Sequence, residues 1–463
     1  MLDKIKNFYR TSAPGKPFEG SEEQRTKLYK RLRFQAFLAG TVGYSLYYVC
    51  RTTLNVVKKP ILESGVLDAH QLGIISSALL FAYAAGKFVN GFMADYSNIK
   101  RFMATGLIVS TIANACVGLL GFAQTGLTAI SSFVFFLTFA IMWGINGWSQ
   151  SMGAAPAIIA LSRWYPLKDR GTYYGFFSAS HNLGEFLSFL FVGAVVSFFG
   201  WQWGFMGASM AGVLGVIVII LFLHDTPQSK GLPRVEVLAE EVKEESKVIQ
   251  KSVAQTQKEV LRNPFVWILA LSSSCMYISR YAINGWGVLF LQEVKGFSLP
   301  AATQIISINA LLGIIGTVFS GWLSDKLFKG KRNVLAFLFG VLNTLSLLLF
   351  LYSDDNIYIN ILSMVLFGIA IGVLICFLGG LMAVDIVPRN ASGAALGVIG
   401  IASYIGAGLQ DIVSGYLINA NKSVIGGADV YDFSQVSIFW ITASAISFIL
   451  VLFIWKKTKK ANS

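Results

Sequence analysis

The stretch Gly43-Tyr44-Ser45-Leu46-Tyr47-Tyr48-Val49-Cys50-Arg51 sets a permanent cation inside an apolar run that begins near Phe34 and extends to Val57. Such a run is long enough to cross a membrane, which takes about 20 mostly apolar residues. A guanidinium keeps its proton there, and at the bilayer centre it costs about 2.5 to 3.5 kcal/mol on insertion scales. It must find an anion, either an internal acid or a ligand, or else snorkel to the interface. The second half of the chain repeats the feature. In Met276-Tyr277-Ile278-Ser279-Arg280 a tyrosine again stands three residues before an arginine, as Tyr48 stands before Arg51. Two arginines in hydrocarbon point to one anion gripped from two sides.

Hydrophobic residues make up 55% of the 463 and charged residues 13%, with a mean hydropathy of +0.62. A soluble globule carries about 25% charged residues, so this is a polytopic membrane protein. Apolar windows predict twelve spans near 34–57, 71–97, 101–124, 128–162, 170–199, 203–224, 264–292, 299–325, 333–353, 356–386, 391–419 and 434–455. With both termini cytoplasmic, 30 of the 37 lysines and arginines fall on the cytoplasmic side. Four (Lys58, Lys59, Lys295, Lys422) fall on the other, and three (Arg51, Lys87, Arg280) lie within spans. The net charge of +13 is therefore mostly topology, and nucleic-acid binding is a poor reading of it. The tail Lys456-Lys457-Thr458-Lys459-Lys460 reads as an anchor facing anionic lipid. Residues 1–33 are polar and mixed in charge, so the first span itself is expected to direct insertion. Cys50, Cys116, Cys275 and Cys376 fall inside predicted spans without metal-ligand spacing, so neither a disulfide framework nor a metal site is expected.

The duplication extends beyond the arginines. Gly91-Phe-Met-Ala-Asp95 is followed by Lys100 and Arg101, and Gly321-Trp-Leu-Ser-Asp325 by Lys326, Lys329, Lys331 and Arg332. Arginine and loop aspartate are 44 residues apart in one half (51 to 95) and 45 in the other (280 to 325). Two six-helix units that rock about a midplane site are a transporter design. Asp95, Arg101, Asp325 and Arg332 are read as gate residues, able to form a breakable charge clasp. Arg280 lies about 15 residues into its span and Arg51 about 17, so both sit roughly 22 to 26 Å from the cytoplasmic end. Tyr83 and Lys87 share a helix face, and Lys87 is either a third cation for the ligand or an interfacial snorkeller. In Ser180-His181-Asn182-Leu183-Gly184-Glu185 the carboxylate stands one turn after the imidazole and could orient it. Asn284 and Trp286 follow Arg280 closely enough to contact a polyol, with belt aromatics the alternative for Trp286. Tyr404, Gln410 and Asp411 are the polar exceptions in the glycine-rich eleventh span, where Asp411 is a candidate counter-ion for a buried cation. The polar stretch 225–262 reads as a linker.

The Gly-x-x-x-Asp loops with following cations resemble the signature of the major facilitator superfamily along the whole chain. The further runs Tyr48-Val-Cys-Arg51, Tyr83-Ala-Ala-Gly-Lys87, Ser180-His181-Asn182, Asp225-Thr-Pro-Gln, Asn263-Pro264-Phe-Val-Trp267 and Tyr277-Ile-Ser-Arg280 resemble its organophosphate:phosphate antiporters, hexose-phosphate transporters above all. The resemblance implies an all-α membrane fold of twelve transmembrane helices in two pseudo-symmetric six-helix bundles. The expected organisation is a segment 1–33, a bundle 34–224, a linker 225–262, a bundle 263–456 and a tail 457–463. It implies that Arg51 and Arg280 hold a phosphoryl group, that Lys87 and His181 share the cavity, and that Tyr44, Tyr48, Tyr277 and Tyr404 surround it, with Tyr83 and Asn284 close by. Thr52, Ser178, Leu396 and Ile399 depart from the family pattern at positions that bear on the organic moiety.

The expected activity is exchange of a sugar phosphate, hexose 6-phosphate first, for inorganic phosphate across a bacterial inner membrane. A monomer is expected to suffice, without cofactor or nucleic acid. Antiport of glycerol 3-phosphate or phosphoglycerate is the alternative within the class, and a membrane hexose-phosphate sensor the alternative outside it. Cations repelling one another in an empty site would hinder return without cargo and so enforce exchange. No nucleophile and base at usable spacing, phosphate loop or metal cluster suggests an enzyme.

Overall fold

Helix dominates the computed structural model, which describes residues 2–124, 131–238, 253–328, 331–387, 391–426 and 428–454. The tail at 456–460, Lys329 and the middle of the predicted linker lie outside these residues, as does the side chain of Asp325. The N-terminal half comprises α1 (Glu22–Glu63), α2 (Ala69–Asp95), α3 (Ile99–Gln124), α4 (Ser132–Trp164), α5 (Leu167–Ser178 continuing as Ser180–Phe199) and α6 (Trp201–Phe222). The C-terminal half comprises α7 (Pro264–Glu293), α8 (Leu299–Trp322), α9 (Arg332–Tyr352), α10 (Ile357–Cys376, extended through Ile386), α11 (Ser392–Ala420) and α12 (Ser434–Ile454). Eleven of these are long and apolar enough to cross a membrane. The twelfth, α1, has the length but carries Tyr44, Tyr47, Tyr48 and Arg51, because it lines the centre of the molecule.

Local chemistry sets the helix starts. Ser21 and Gln24 form a reciprocal cap on α1, Ser21 N donating to Gln24 Oε1 at 3.0 Å and Gln24 N to Ser21 Oγ at 3.3 Å. Accordingly α1 begins twelve residues before the predicted span, and the basic cluster at Lys30, Arg31 and Arg33 is helical. Asp68 and Gln71 cap α2 in the same way. Asn263 caps α7, with Pro264 at the first helical position, where a missing N–H is harmless.

The halves repeat one packing scheme. In the first, α1 packs on α5 and α6, α2 on α4, and α3 on α4 and α6. In the second, α7 packs on α11 and α12, α8 on α10, and α9 on α10 and α12. Across the halves the main interfaces are α2 with α11 and α5 with α8, which are equivalent pairs. They close the face opposite the termini. There Gly73 of α2 meets the backbone of Asp411 and Gly415, an approach that any side chain would block. Lys59 Nζ, at the end of α1, reaches Glu293 Oε1, at the end of α7, at 2.9 Å. On the terminal side, among the described residues, open space lies beside Gly91, Gly171, Gly321, Gly393 and Gly397, and Lys87, although it faces Tyr404 of the other half, is exposed. The molecule is closed on the far face and open on the terminal one.

Two lysines correct the sequence reading. Lys58, expected in a loop, lies in α1 and is only 1% exposed, because the helix continues through Pro60 to Glu63. Lys295 does lie between α7 and α8, yet it is buried and donates to Phe350 O, Ser353 Oγ and Asn360 Oδ1.

Candidate functional site

Helical spacing builds the site. Residues 44, 48 and 51 of α1 recur at i, i+4 and i+7, which places Tyr44, Tyr48 and Arg51 on one face. Residues 277, 280 and 284 of α7 do the same for Tyr277, Arg280 and Asn284. The faces meet at the centre of the molecule, where each arginine is 5% exposed.

Arg51 sits in a cage of rings. Its guanidinium carbon lies 4.2 Å from the ring centre of Tyr83, 5.2 Å from Tyr48 and 5.6 Å from Tyr404. Its Nη2 donates to Tyr281 Oη at 3.0 Å. Ring faces carry negative potential and hold a cation without neutralising it. Among the described residues, one of its five N–H donors is hydrogen-bonded.

Arg280 is held differently. Its Nη2 donates to Glu185 Oε2 at 3.3 Å, while Asn284 Nδ2 donates to Glu185 Oε1 at 2.8 Å. Glu185 belongs to α5, so this buried pair crosses between the halves. Tyr281 touches both clamps, since the Arg280 guanidinium lies 5.7 Å from its ring centre.

The remaining expected residues gather around this pair. Tyr404 is the hub, 4.6 Å from Tyr83, 5.4 Å from Tyr277 and 6.3 Å from Tyr281 by ring centres. Lys87 points its Nζ to 5.4 Å from the Tyr404 ring and is exposed to the open cavity. The His181 ring lies tilted against Tyr48 with centres 5.9 Å apart, and Tyr44 packs edge-on 5.5 Å from Tyr48. Arg51, Arg280, Lys87, His181, Tyr44, Tyr48, Tyr83, Tyr277, Asn284 and Tyr404 thus form one group.

Two members were missed, and one pairing was misread. Glu185, expected to orient His181, pairs instead with Arg280 and Asn284, because the inter-half contact offers a cation. A buried acid requires such a partner, and that signal was legible. Arg280 is consequently not bare, which weakens the expected repulsion between empty-site cations. Tyr281 carries no separate signal, since its role arises only when α1 and α7 meet.

The expected gate residues lie at the terminal face, and the bonds of Asp95, Arg101 and Arg332 stay within their own halves. Asp95 ends α2 exposed, and its carbonyl accepts from Arg163 Nη2 at 3.2 Å. Arg163 Nη1 also pairs with Asp225 at 2.5 Å. Arg101 donates to Phe8 O at 2.7 Å. Arg332 pairs with Asp385 at 2.5 Å, and Asp325 falls in the π-helical turn Leu323–Leu327. Among the described residues no cluster of His, Cys, Asp and Glu could hold a metal ion.

Two equivalent bundles, closed at one end around buried cations and open at the other, define a membrane transporter. Residues 40–410 match the profile of the Major Facilitator Superfamily. The chain belongs to that superfamily. It is 31% identical to the probable hexose phosphate transport protein of Chlamydia pneumoniae, over 96% of this chain and 97% of that one. It is 28% identical to the glycerol-3-phosphate transporter of Bacillus subtilis, over 94% and 95% of the two chains. Identity to the membrane sensor protein UhpC of Escherichia coli is 31%, over 82% and 85%. Its fold is that of a bacterial homologue of the human lysosomal transporter Spinster, solved inward-facing and unoccupied. The TM-score is 0.70 at 18% identity, over 93% of this chain and 98% of that one.

Proposed function

We propose that this protein exchanges a hexose phosphate for inorganic phosphate by alternating access, with the terminal face cytoplasmic in a bacterial inner membrane. The observation that carries this is the meeting of Arg51 and Arg280, one from each half, on the two sides of Tyr281. A bidentate guanidinium matches phosphate oxygens, and an anion held from both halves favours closure around itself. Charge supports the same substrate class. Arg51, Lys58, Lys87 and Arg280 face Glu185 and Asp411 in the central region, four cations against two carboxylates, leaving two positive charges. A phosphate monoester carries about −1.5 to −2 near neutral pH. Lys87, His181 and the tyrosines would then line the rest of the pocket. The Asp95 and Asp325 loops, with Arg101 and Arg332, would close the cytoplasmic face in the opposite conformation, and the bundles 34–224 and 263–456 would be the rocking units.

Proteoliposomes loaded with phosphate test the proposal. Labelled inorganic phosphate should enter by counterflow, and glucose 6-phosphate should compete more strongly than glycerol 3-phosphate or 3-phosphoglycerate. Stronger competition by a three-carbon phosphate would move the assignment to the glycerol-phosphate transporters. Saturable binding with no flux would identify a sensor.

A further inference from the structure

Two turns beyond Arg51, on the same face of α1, stand Asn55 and Lys58 at i+4 and i+7. Lys58 Nζ rests 3.5 Å from the ring centre of Trp286 and has no hydrogen-bond partner among the described residues. At the edge of that indole, Trp286 Nε1 donates to Asp411 Oδ1 at 2.8 Å. Asp411 is 3% exposed and Trp286 fully buried. Gly285 leaves room for both charged groups. A Cβ there would lie 3.3 Å from Asp411 Oδ1 and 3.7 Å from Lys58 Nζ. Asn55, Ser76 and Asp411 line a cavity of about 20 Å³ that also includes Arg51. That is room for one water and no more. The cluster lies between the clamp and the closed far face, beneath the Lys59 to Glu293 bridge.

The division of these residues between the halves gives the cluster its meaning. Asn55, Lys58 and Ser76 belong to α1 and α2, whereas Trp286 and Asp411 belong to α7 and α11. Opening the far face separates α2 from α11, so Lys58 must leave the indole and the carboxylate together. An ammonium without a hydrogen-bonded partner is a poor device for stability, since apolar replacement of buried charge is often neutral or better. It is well suited to receive an incoming anion. We propose that Lys58, with Asn55 and Ser76, forms an outer phosphate-binding site that takes the substrate phosphoryl group from the far face before it reaches Arg51. Asp411 covers that cation whenever the far face closes. The substrate class is the phosphate monoester or inorganic phosphate of the proposed exchange, so the inference rests on that function.

The test uses full-length transporter oriented one way in vesicles, with labelled inorganic phosphate as probe and half-saturation measured on each face. Lys58→Gln should raise the outer half-saturation concentration about tenfold, the loss of one charge-assisted contact. The inner value should change much less than the outer one, and Lys58→Arg should recover the outer value. Asp411→Asn removes the carboxylate that covers Lys58 only in the closed state, so the outward-open state gains population and the outer value should fall. An equal rise on both faces, or no outer change in Lys58→Gln, overturns the outer site. So does an unchanged outer value in Asp411→Asn, which decides the matter if Lys58→Gln fails to accumulate. Absence of exchange in the unaltered protein would instead count against the transport function.

Discussion

Arg51 and Arg280 hold matching places in a duplicated chain, yet their surroundings differ in kind. The first is held by ring faces and one hydroxyl, the second by a carboxylate reaching across from the other half. Duplication copied the cation and left its counter-ion free to diverge. An anion entering at Arg51 gains a partner that ring faces and one neutral hydroxyl had engaged, whereas at Arg280 it must displace Glu185. On the proposed function, Arg51 would then receive the phosphate, while at Arg280 the phosphate would replace a carboxylate.

Replacement of each arginine by alanine breaks this contrast most strongly. Both Arg51→Ala and Arg280→Ala should reduce phosphate counterflow to the level of protein-free vesicles. Their effects on the protein itself should part. Arg51→Ala removes a cation whose neighbours are aromatic, and the transporter should still accumulate in the membrane. Arg280→Ala strands Glu185, and removing one partner of a buried pair costs about 3 to 5 kcal/mol. Thermal stability in detergent should fall accordingly. Adding Glu185→Gln to Arg280→Ala should restore stability without restoring flux. Equal stability of the two single variants would show that Glu185 is not the counter-ion of Arg280 in the membrane.

A smaller effect is expected from Glu185→Gln alone. The amide retains its contact with Asn284 while the charge on Arg280 is released. Calorimetry on purified protein should find phosphate bound about tenfold tighter or more, the worth of one charge-assisted bond that no longer competes. Weaker binding would mean that the carboxylate serves the ligand rather than standing in for it.

Much of this contrast was legible before any coordinates, but unevenly. Spacing along one helix is fixed by the 3.6-residue turn, so Tyr48 with Arg51 and Tyr277 with Arg280 could be paired from the sequence alone. The charge sorting sets only an expected topology, because each loop samples one side of the membrane. Contacts between halves obey no such period. The partner of Glu185 is 95 positions away, and a neighbouring His181 one turn off was the more visible choice. Lys58 was misplaced for a different reason. Charged residues end an apolar window, whereas the helix itself runs on to Glu63, and burial is decided by α7 and α11 packing over that last turn.

The finest distinction between the clamps lies in Tyr281. Its hydroxyl accepts from Arg51 at 3.0 Å, and its ring stays beside Arg280 when the hydroxyl is removed. If the hydroxyl orients Arg51 and remains in place as phosphate binds, Tyr281→Phe frees a donor but loosens the fork. The cost is that of one ordinary hydrogen bond, about 0.5 to 1.5 kcal/mol, or two- to tenfold weaker phosphate binding. Stability should be almost unchanged, because the ring contacts persist. Were phosphate instead to bind more tightly, the hydroxyl would be a ligand surrogate at Arg51 as Glu185 is at Arg280. The two clamps would then differ only in the charge of what they release, and the receiving role would no longer belong to the N-terminal half.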